Sequence, residues 1–149
     1  MTAAYTNGQD KDFAALCGQL DDYLNQVVGE KQREGYVQYN TRENIHDVIL
    51  LYDEDRPIAC ASFKKHDTAI AEVKRVFICR EYRGQGLSKQ LMRLLEEKAR
   101  EKGHTKLILE TGAVLKEATA LYERIGFVRM ENFGQYKGMK ASICMEKDI

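Results

Sequence analysis

The sequence predicts an α/β fold, a mixed central sheet of about six to seven strands flanked by about four helices. Three observations carry that expectation. Apolar runs of strand character alternate with segments of helical period along the 149 residues. One of those strands runs directly into a glycine-rich turn that opens a long helix. The composition, 44% apolar and 31% charged with a single proline, suits a chain able to bury an ordinary core. No internal repeat, low-complexity tract or linker interrupts residues 1–149, so one domain is expected.

Taken in order, Phe13, Leu16, Cys17, Leu20, Leu24, Val27 and Val28 recur at helical spacing from Asp12 onward, with Asp21 and Asp22 on the polar side. This is an amphipathic helix, and Gly29 is its natural stop. Glu30 to Asn44 is polar with interspersed Tyr36 and Tyr39 and reads as a short helix or turn followed by loop. His46 to Tyr52 and Pro57 to Phe63 are apolar runs separated by the acidic turn Asp53-Glu54-Asp55-Arg56, a hairpin signal in which proline is tolerated at a strand start.

Thr68 to Cys79 is a third strand leading into Arg80-Glu81-Tyr82-Arg83-Gly84-Gln85-Gly86-Leu87-Ser88. Leu87, Leu91, Leu94, Leu95 and Ala99 then mark a long helix ending near Gly103. Lys106 to Glu110 is a strand, and Ala118, Leu121, Tyr122 and Ile125 mark a short helix that stops at Gly126. Phe127 to Met130 and Ser142 to Glu146 are the last strands.

The net charge is zero, from 23 basic and 23 acidic residues, which argues against wholesale nucleic-acid binding. That zero is a sum of unlike halves. Residues 1–60 carry 5 Lys plus Arg against 11 Asp plus Glu, and residues 61–149 carry 18 against 12. Each half suits a partner of opposite sign. Cys17, Cys60, Cys79 and Cys144 form no C-x-x-C pair, and His46, His66 and His104 are dispersed, so the thiols read as small core residues in a reducing compartment and no metal site is expected. No apolar run approaches the ~20 residues of a membrane span, and Met1 to Asp10 lacks the basic start and apolar stretch of a signal peptide. A cytoplasmic location is expected, with no membrane partner.

A strand ending in Arg-Gly-x-Gly-x-Ser and opening a helix aims unpaired N–H groups and the positive end of a helix dipole at one place, which favours phosphate. It is not a Walker A loop, because one residue, Gln85, separates the glycines. Nor is it the dinucleotide fingerprint, because Lys89 holds the third glycine position. Taken alone, Gly84 and Gly86 are equally explained as a tight turn.

Arg83 to Ser88 resembles the coenzyme A pyrophosphate loop of the GNAT N-acetyltransferases, (Gln or Arg)-x-x-Gly-x-(Gly or Ala), with Ser in the last place. Ala120-Leu121-Tyr122-Glu123-Arg124-Ile125-Gly126-Phe127 is similar to that family's L-Y-x-x-x-G-F signature. The resemblance extends from Asp12 to the C-terminus and implies an acetyl-CoA-dependent transferase acting on an amine, with a sheet splayed between the strands at 69–79 and 106–111. It implies that the amides of Arg83, Gly84, Gln85, Gly86, Leu87 and Ser88 hold the pyrophosphate. The backbone of Val76, Phe77 and Ile78 would pair with the pantetheine arm as an added strand does. Lys74 to Lys102, with 9 basic and 4 acidic residues, suits so anionic a ligand. The family often has Asn at the position of Leu115, so a contact made by that Asn is not expected here.

Acetyl transfer needs a neutral amine, and deprotonating a primary amine at pH 7 costs about 4.6 kcal/mol from ~3.4 pKa units. A carboxylate in reach takes that proton. The resemblance points to Glu72, eleven residues before Arg83, and Glu110 at the end of its strand is the second candidate. Strand alternation sets Glu72, Lys74, Val76 and Ile78 on one face and Val73, Arg75, Phe77 and Cys79 on the other. Glu72 is equally suited to pairing with a basic neighbour, and Glu110 to a capping or surface position. Tyr122 would hydrogen-bond or protonate the departing thiolate, the alternative being a core tyrosine.

The acidic residues Asp21, Asp22, Glu30 and Glu34 would steer a small cationic amine, with Tyr36, Tyr39, Phe133 and Tyr136 as aromatic walls. A homodimer is left open. A coenzyme A-binding regulatory module without turnover is the alternative function.

Overall fold

The computed structural model describes every residue except residue 40, and residue 37 by its backbone alone. Seven strands and four α-helices follow in the order β1 (Thr2–Thr6), α1 (Lys11–Val27), α2 (Glu30–Arg33), β2 (Asp47–Asp53), β3 (Arg56–Lys65), β4 (Ile70–Ile78), α3 (Leu87–Glu101), β5 (Lys106–Gly112), α4 (Lys116–Arg124), β6 (Val128–Met130) and β7 (Ser142–Asp148). Residue 40, within the stretch expected as short helix or turn and loop, lies outside the described residues. The strands form one sheet in the order β1-β2-β3-β4-β5-β7-β6, antiparallel throughout except for β4 beside β5.

α1 begins where the Asp10 carboxylate accepts from the amides of Asp12 and Phe13, an N-cap that satisfies two otherwise orphaned donors. Its buried stripe, Phe13, Leu16, Cys17 and Leu20, packs with Val48, Leu50, Cys60 and Phe77 on one face of the sheet. On the other face Leu91, Leu95 and Ala99 of α3 meet Leu51, Ala61, Phe63, Val73 and Leu107. All four cysteines are free and buried, as their apolar surroundings predict.

Two differences from the sequence reading have physical causes. β1 was not foreseen: four of its five residues are exposed, it has no apolar alternation, and it forms because its backbone pairs with the edge of β2 from Thr2↔Tyr52 to Thr6↔Val48. The alternation expected along β4 also fails. Cys60 pairs with Phe77 and Ser62 with Lys74, so Arg75 and Val76 together oppose Ala61 in a β-bulge, and Arg75 takes the left-handed φ of 55°. The bulge turns Val76 and Ile78 to the α3 face beside Val73, while Arg75, Phe77 and Cys79 face α1.

β4 and β5 pair in parallel only at Ile70↔Lys106, Ala71↔Leu107 and Glu72↔Ile108. Beyond Glu72 the two strands part, leaving the β5-side edge of β4 without a strand partner. The splay lies between the strands where it was expected, and it opens at Glu72.

Candidate active site

A cavity of about 520 Å³ occupies the splay, walled by α1, α2, β4, β5 and the start of α4. Three ionisable groups meet on its floor. Glu72, 3% exposed, lies 3.4 Å from the Lys74 ammonium, two residues along the same strand. Lys74 Nζ donates to the Tyr39 carbonyl at 2.7 Å and to the Tyr136 hydroxyl at 3.3 Å. Burial lowers the Lys74 pKa and the charge of Glu72 partly restores it. On the facing strand, burial raises the pKa of Glu110, opposed by the 2.6 Å hydrogen bond from Ser142 Oγ and by the charge of Lys74. Two carboxylates thus share one ammonium in a poorly solvated place, a formal charge of −1 when both are ionised.

The opposite wall is built by α1 and α2. Arg33 and Arg75, each 7% exposed, converge on one carboxylate, Asp21, at 3.1 and 2.8 Å. Asn25 Oδ1 and the carbonyl of Asp21 accept from Arg33 Nη1, and the carbonyl of Cys17 accepts from Arg75 Nη2. Asp21 is therefore committed to two arginines. Asp22, Glu30 and Glu34 are exposed and do not line the cavity. The acidic first half of the chain places no free carboxylate on this wall.

Tyr122 stands where α4 meets the cavity, buried and edge-on to Phe127 with ring centroids 5.6 Å apart. Its hydroxyl makes no hydrogen bond to a described residue, and burial pushes its pKa up to about 12, so it stays protonated at neutral pH. Leu115 precedes α4 and also lines the cavity, an apolar group where an amide would have offered hydrogen bonds.

The glycine turn lies outside this lining. Gly84 and Gly86 have φ of 79° and 78°, a left-handed conformation that favours glycine, and α3 starts at Leu87 with no side-chain cap. Gln90 N–H, bonding to Gly86 O, is the first amide of the helix to find a partner; those of Gly84 to Lys89 make no backbone bond to a described residue. These unpartnered amides point out from the N-terminus of α3, the positive end of its dipole. The Arg83 side chain points back, its Nε donating to the Ile78 carbonyl at 2.9 Å and its guanidinium 4.6 Å from the Tyr23 ring. Of the basic residues around the turn, Arg93, Lys98 and Arg100 pair with Glu97, Glu101 and Glu96 on α3 itself, and Lys74, Arg75 and Lys102 pair with Glu72, Asp21 and Asp47.

The structure therefore brings Glu72, Glu110, Tyr122 and Val76 to one cavity, and sets Phe77, Ile78 and Arg83 to Ser88 along β4 and the turn beyond it. Sequence reasoning missed Ser142, which reaches Glu110 because Gly112 pairs with Ser142 across β5 and β7, a register no local pattern announces. It also missed Arg33, a buried cation in a segment whose composition reads as solvated. Among the described residues no group of three or more His, Cys, Asp or Glu is placed to hold a metal, and no helix is long and apolar enough to cross a membrane.

A model of the acetyltransferase (GNAT) family matches residues 16–127. Among curated relatives, the uncharacterized N-acetyltransferase YjgM of Escherichia coli K12 is 42% identical over 65 residues, 44% of this chain and 39% of that protein. The chain spans between 39% and 66% of the length of the first curated relatives it matches. A candidate acyl-CoA N-acyltransferase from Klebsiella pneumoniae superposes with a TM-score of 0.80 at 27% identity, covering 99% of this chain and 97% of the other. The PaiA N-acetyltransferase of Thermoplasma acidophilum, solved with coenzyme A, superposes with a TM-score of 0.74 at 18% identity over 100% of both chains, a likeness of fold. The family match runs from the middle of α1 through the glycine turn to the end of the α4 signature, and on that span the chain belongs to the acetyltransferase (GNAT) family.

Proposed function

We propose that the protein is an acetyl-CoA-dependent N-acetyltransferase that moves an acetyl group to a primary amine by direct transfer while both substrates are bound. The observation that carries the reading is the pair of carboxylates at the point where β4 and β5 part, Glu72 buried and Glu110 half-buried with a raised pKa. The chain's own geometry fits the co-substrate. Six consecutive amides are free at the N-terminus of a long helix, nothing stands within 4 Å above Gly84 or Gly86, and the β5-side edge of β4 past Glu72 has no strand partner. The amides of Gly84, Gln85, Gly86, Leu87 and Ser88 take the pyrophosphate, that of Arg83 being already bonded to the Arg80 carbonyl at 3.3 Å, and the backbone of Val76, Phe77 and Ile78 takes the pantetheine amides.

The acceptor enters as an ammonium, because the −1 formal charge of the Glu72–Lys74–Glu110 group attracts it. Glu110 accepts its first proton. Glu72 is held by Lys74 and keeps the local potential negative. As the N–C bond forms and the C–S bond breaks, the Val76 amide donates to the acetyl oxygen. Tyr122 gives its proton to the departing sulfur and recovers one from the new amide nitrogen. The sum is one amide, one thiol and one proton, which Glu110 returns to solvent. The acceptor's cationic end is its reacting end; the acidic cover that would have favoured a wholly cationic molecule is not present in the cavity.

Calorimetric titration with acetyl-CoA, followed by a free-thiol assay over a panel of amines, tests the proposal. Thiol release that depends on an amine supports it. Binding with no thiol from any amine indicates a coenzyme-binding module instead, and no binding refutes the site altogether.

A further inference from the structure

We infer that the acetyl acceptor is a zwitterion, an amine that carries a carboxylate on the same small molecule, and that Arg33 receives that carboxylate; the inference rests on the acetyl transfer proposed for this cavity. The cavity has two poles. The floor holds Glu72 and Glu110 against Lys74, one uncompensated negative charge. The α1–α2 wall holds Arg33 and Arg75 against Asp21, one uncompensated positive charge, and both arginine side chains are more than nine-tenths buried, at 9% and 3% exposure. An unpaired charge beside buried arginines is costly unless a ligand or water compensates it, and Asp21, its side chain 46% exposed, offsets only one of the two.

The donors decide which group is available. Lys74 is occupied by a carbonyl, a carboxylate and a hydroxyl, so its ammonium has no proton left to offer. Arg75 Nε is enclosed and unpartnered among the described residues, and it reaches no ligand without moving. Arg33 spends both N–H groups of Nη1 and one of Nη2 on Asp21 and Asn25, while its Nε makes no hydrogen bond to a described residue and is not enclosed. That N–H, backed by the surplus charge of the wall, is the carboxylate donor. Leu24, Val27 and Val28 line the cavity on the same wall and suit the carbon frame of such a molecule. A polyamine meets the same wall with its second ammonium and is repelled.

The test compares matched pairs in the thiol assay: L-leucine with isoamylamine, L-phenylalanine with 2-phenylethylamine, and L-lysine with cadaverine, plus spermidine. The expected result is kcat/KM at least about tenfold higher for the zwitterion in at least one pair, as a charge-assisted hydrogen bond provides. In Arg33→Gln the rate with that amino acid falls at least about tenfold more than the rate with its matched amine, and Arg33→Lys recovers part of the difference. Thermal melting and acetyl-CoA titration of both variants confirm that they fold. If Arg33→Gln does not fold, the wild-type pairs and Arg33→Lys decide. Equal rates within every pair, or preference for the amines or spermidine, overturns the inference while leaving acetyl transfer standing. Coenzyme binding with no thiol from any compound overturns the acetyl-transfer reading and this inference together.

Discussion

Glu110 experiences opposing forces: burial raises its pKa, and Ser142 and Lys74 hold it down. Because the folded pKa lies above the unfolded one, the native state binds this proton more tightly. The stabilisation this gives is complete below the unfolded pKa and is lost as pH rises through the folded pKa. At neutral pH the ionised carboxylate is thus a cost to folding. Glu110→Gln is expected to raise Tm at pH 7.5 in a melting experiment while lowering kcat/KM by about 10²–10⁴, the usual contribution of a general base, and to remove the acidic limb of the pH–rate profile. Tyr122→Phe removes a hydroxyl that bonds to no described residue, so Tm should hold. Since a thiol of pKa ~8.5 is already a good leaving group, kcat should fall only about threefold to tenfold in the same assay.

At this scale the sequence was informative about identity and silent about pairing. The resemblance to the acetyltransferase family singled out Glu72, Glu110 and Tyr122 without any geometry. That Lys74 would hold Glu72 from its own strand, and that Ser142 would hold Glu110 from the far side of β5, depends on tertiary placement that local pattern does not encode.

Among the elements, the strand–turn–helix unit was legible because glycines at positive φ and a helical apolar stripe are local signals. Gly86→Ala is expected to destabilise the fold by about 1–2 kcal/mol through its left-handed backbone alone, since an added Cβ meets no protein atom within 4 Å. A loss of acetyl-CoA affinity larger than that in titration reports the ligand sitting on the turn. Leu91, fully buried on α3 in the main core, is expected to cost about 2–5 kcal/mol as Leu91→Ala in denaturant melts. The bulge at Arg75 was not legible. One residue in the left-handed region reverses the inside–outside sense of β4, and Arg75 itself carries no glycine-like mark of that conformation. The consequence is functional as well as structural: Glu72 and Lys74 remain on the cavity floor while Val76 turns toward α3 and α4.

Across the whole molecule, the charge division between residues 1–60 and 61–149 is bridged at two ion pairs of matching sense, Arg75–Asp21 and Lys102–Asp47. Asp21 is shared by two arginines, and three basic residues of α3 pair with acids on the same helix. What remains is a bipolar cavity beside the turn proposed to hold the coenzyme pyrophosphate. Because backbone amides, which are dipoles, hold the anion at that turn, KM for acetyl-CoA is expected to rise less than about tenfold between 0.05 and 0.5 M KCl, where exposed ion pairs are screened. The order of the sheet and the splay at Glu72 are consequences of one parallel pairing that ends after three residues, and they place the two carboxylates, the tyrosine and the free strand edge around a single volume. The most direct test of the account is the pH dependence of amine-dependent thiol release from acetyl-CoA by the wild-type protein and by Glu110→Gln. The account predicts turnover in the wild type that rises with pH through the raised Glu110 pKa and a variant slower by at least about 10². Wild-type turnover with an unchanged rate and profile in Glu110→Gln would contradict it.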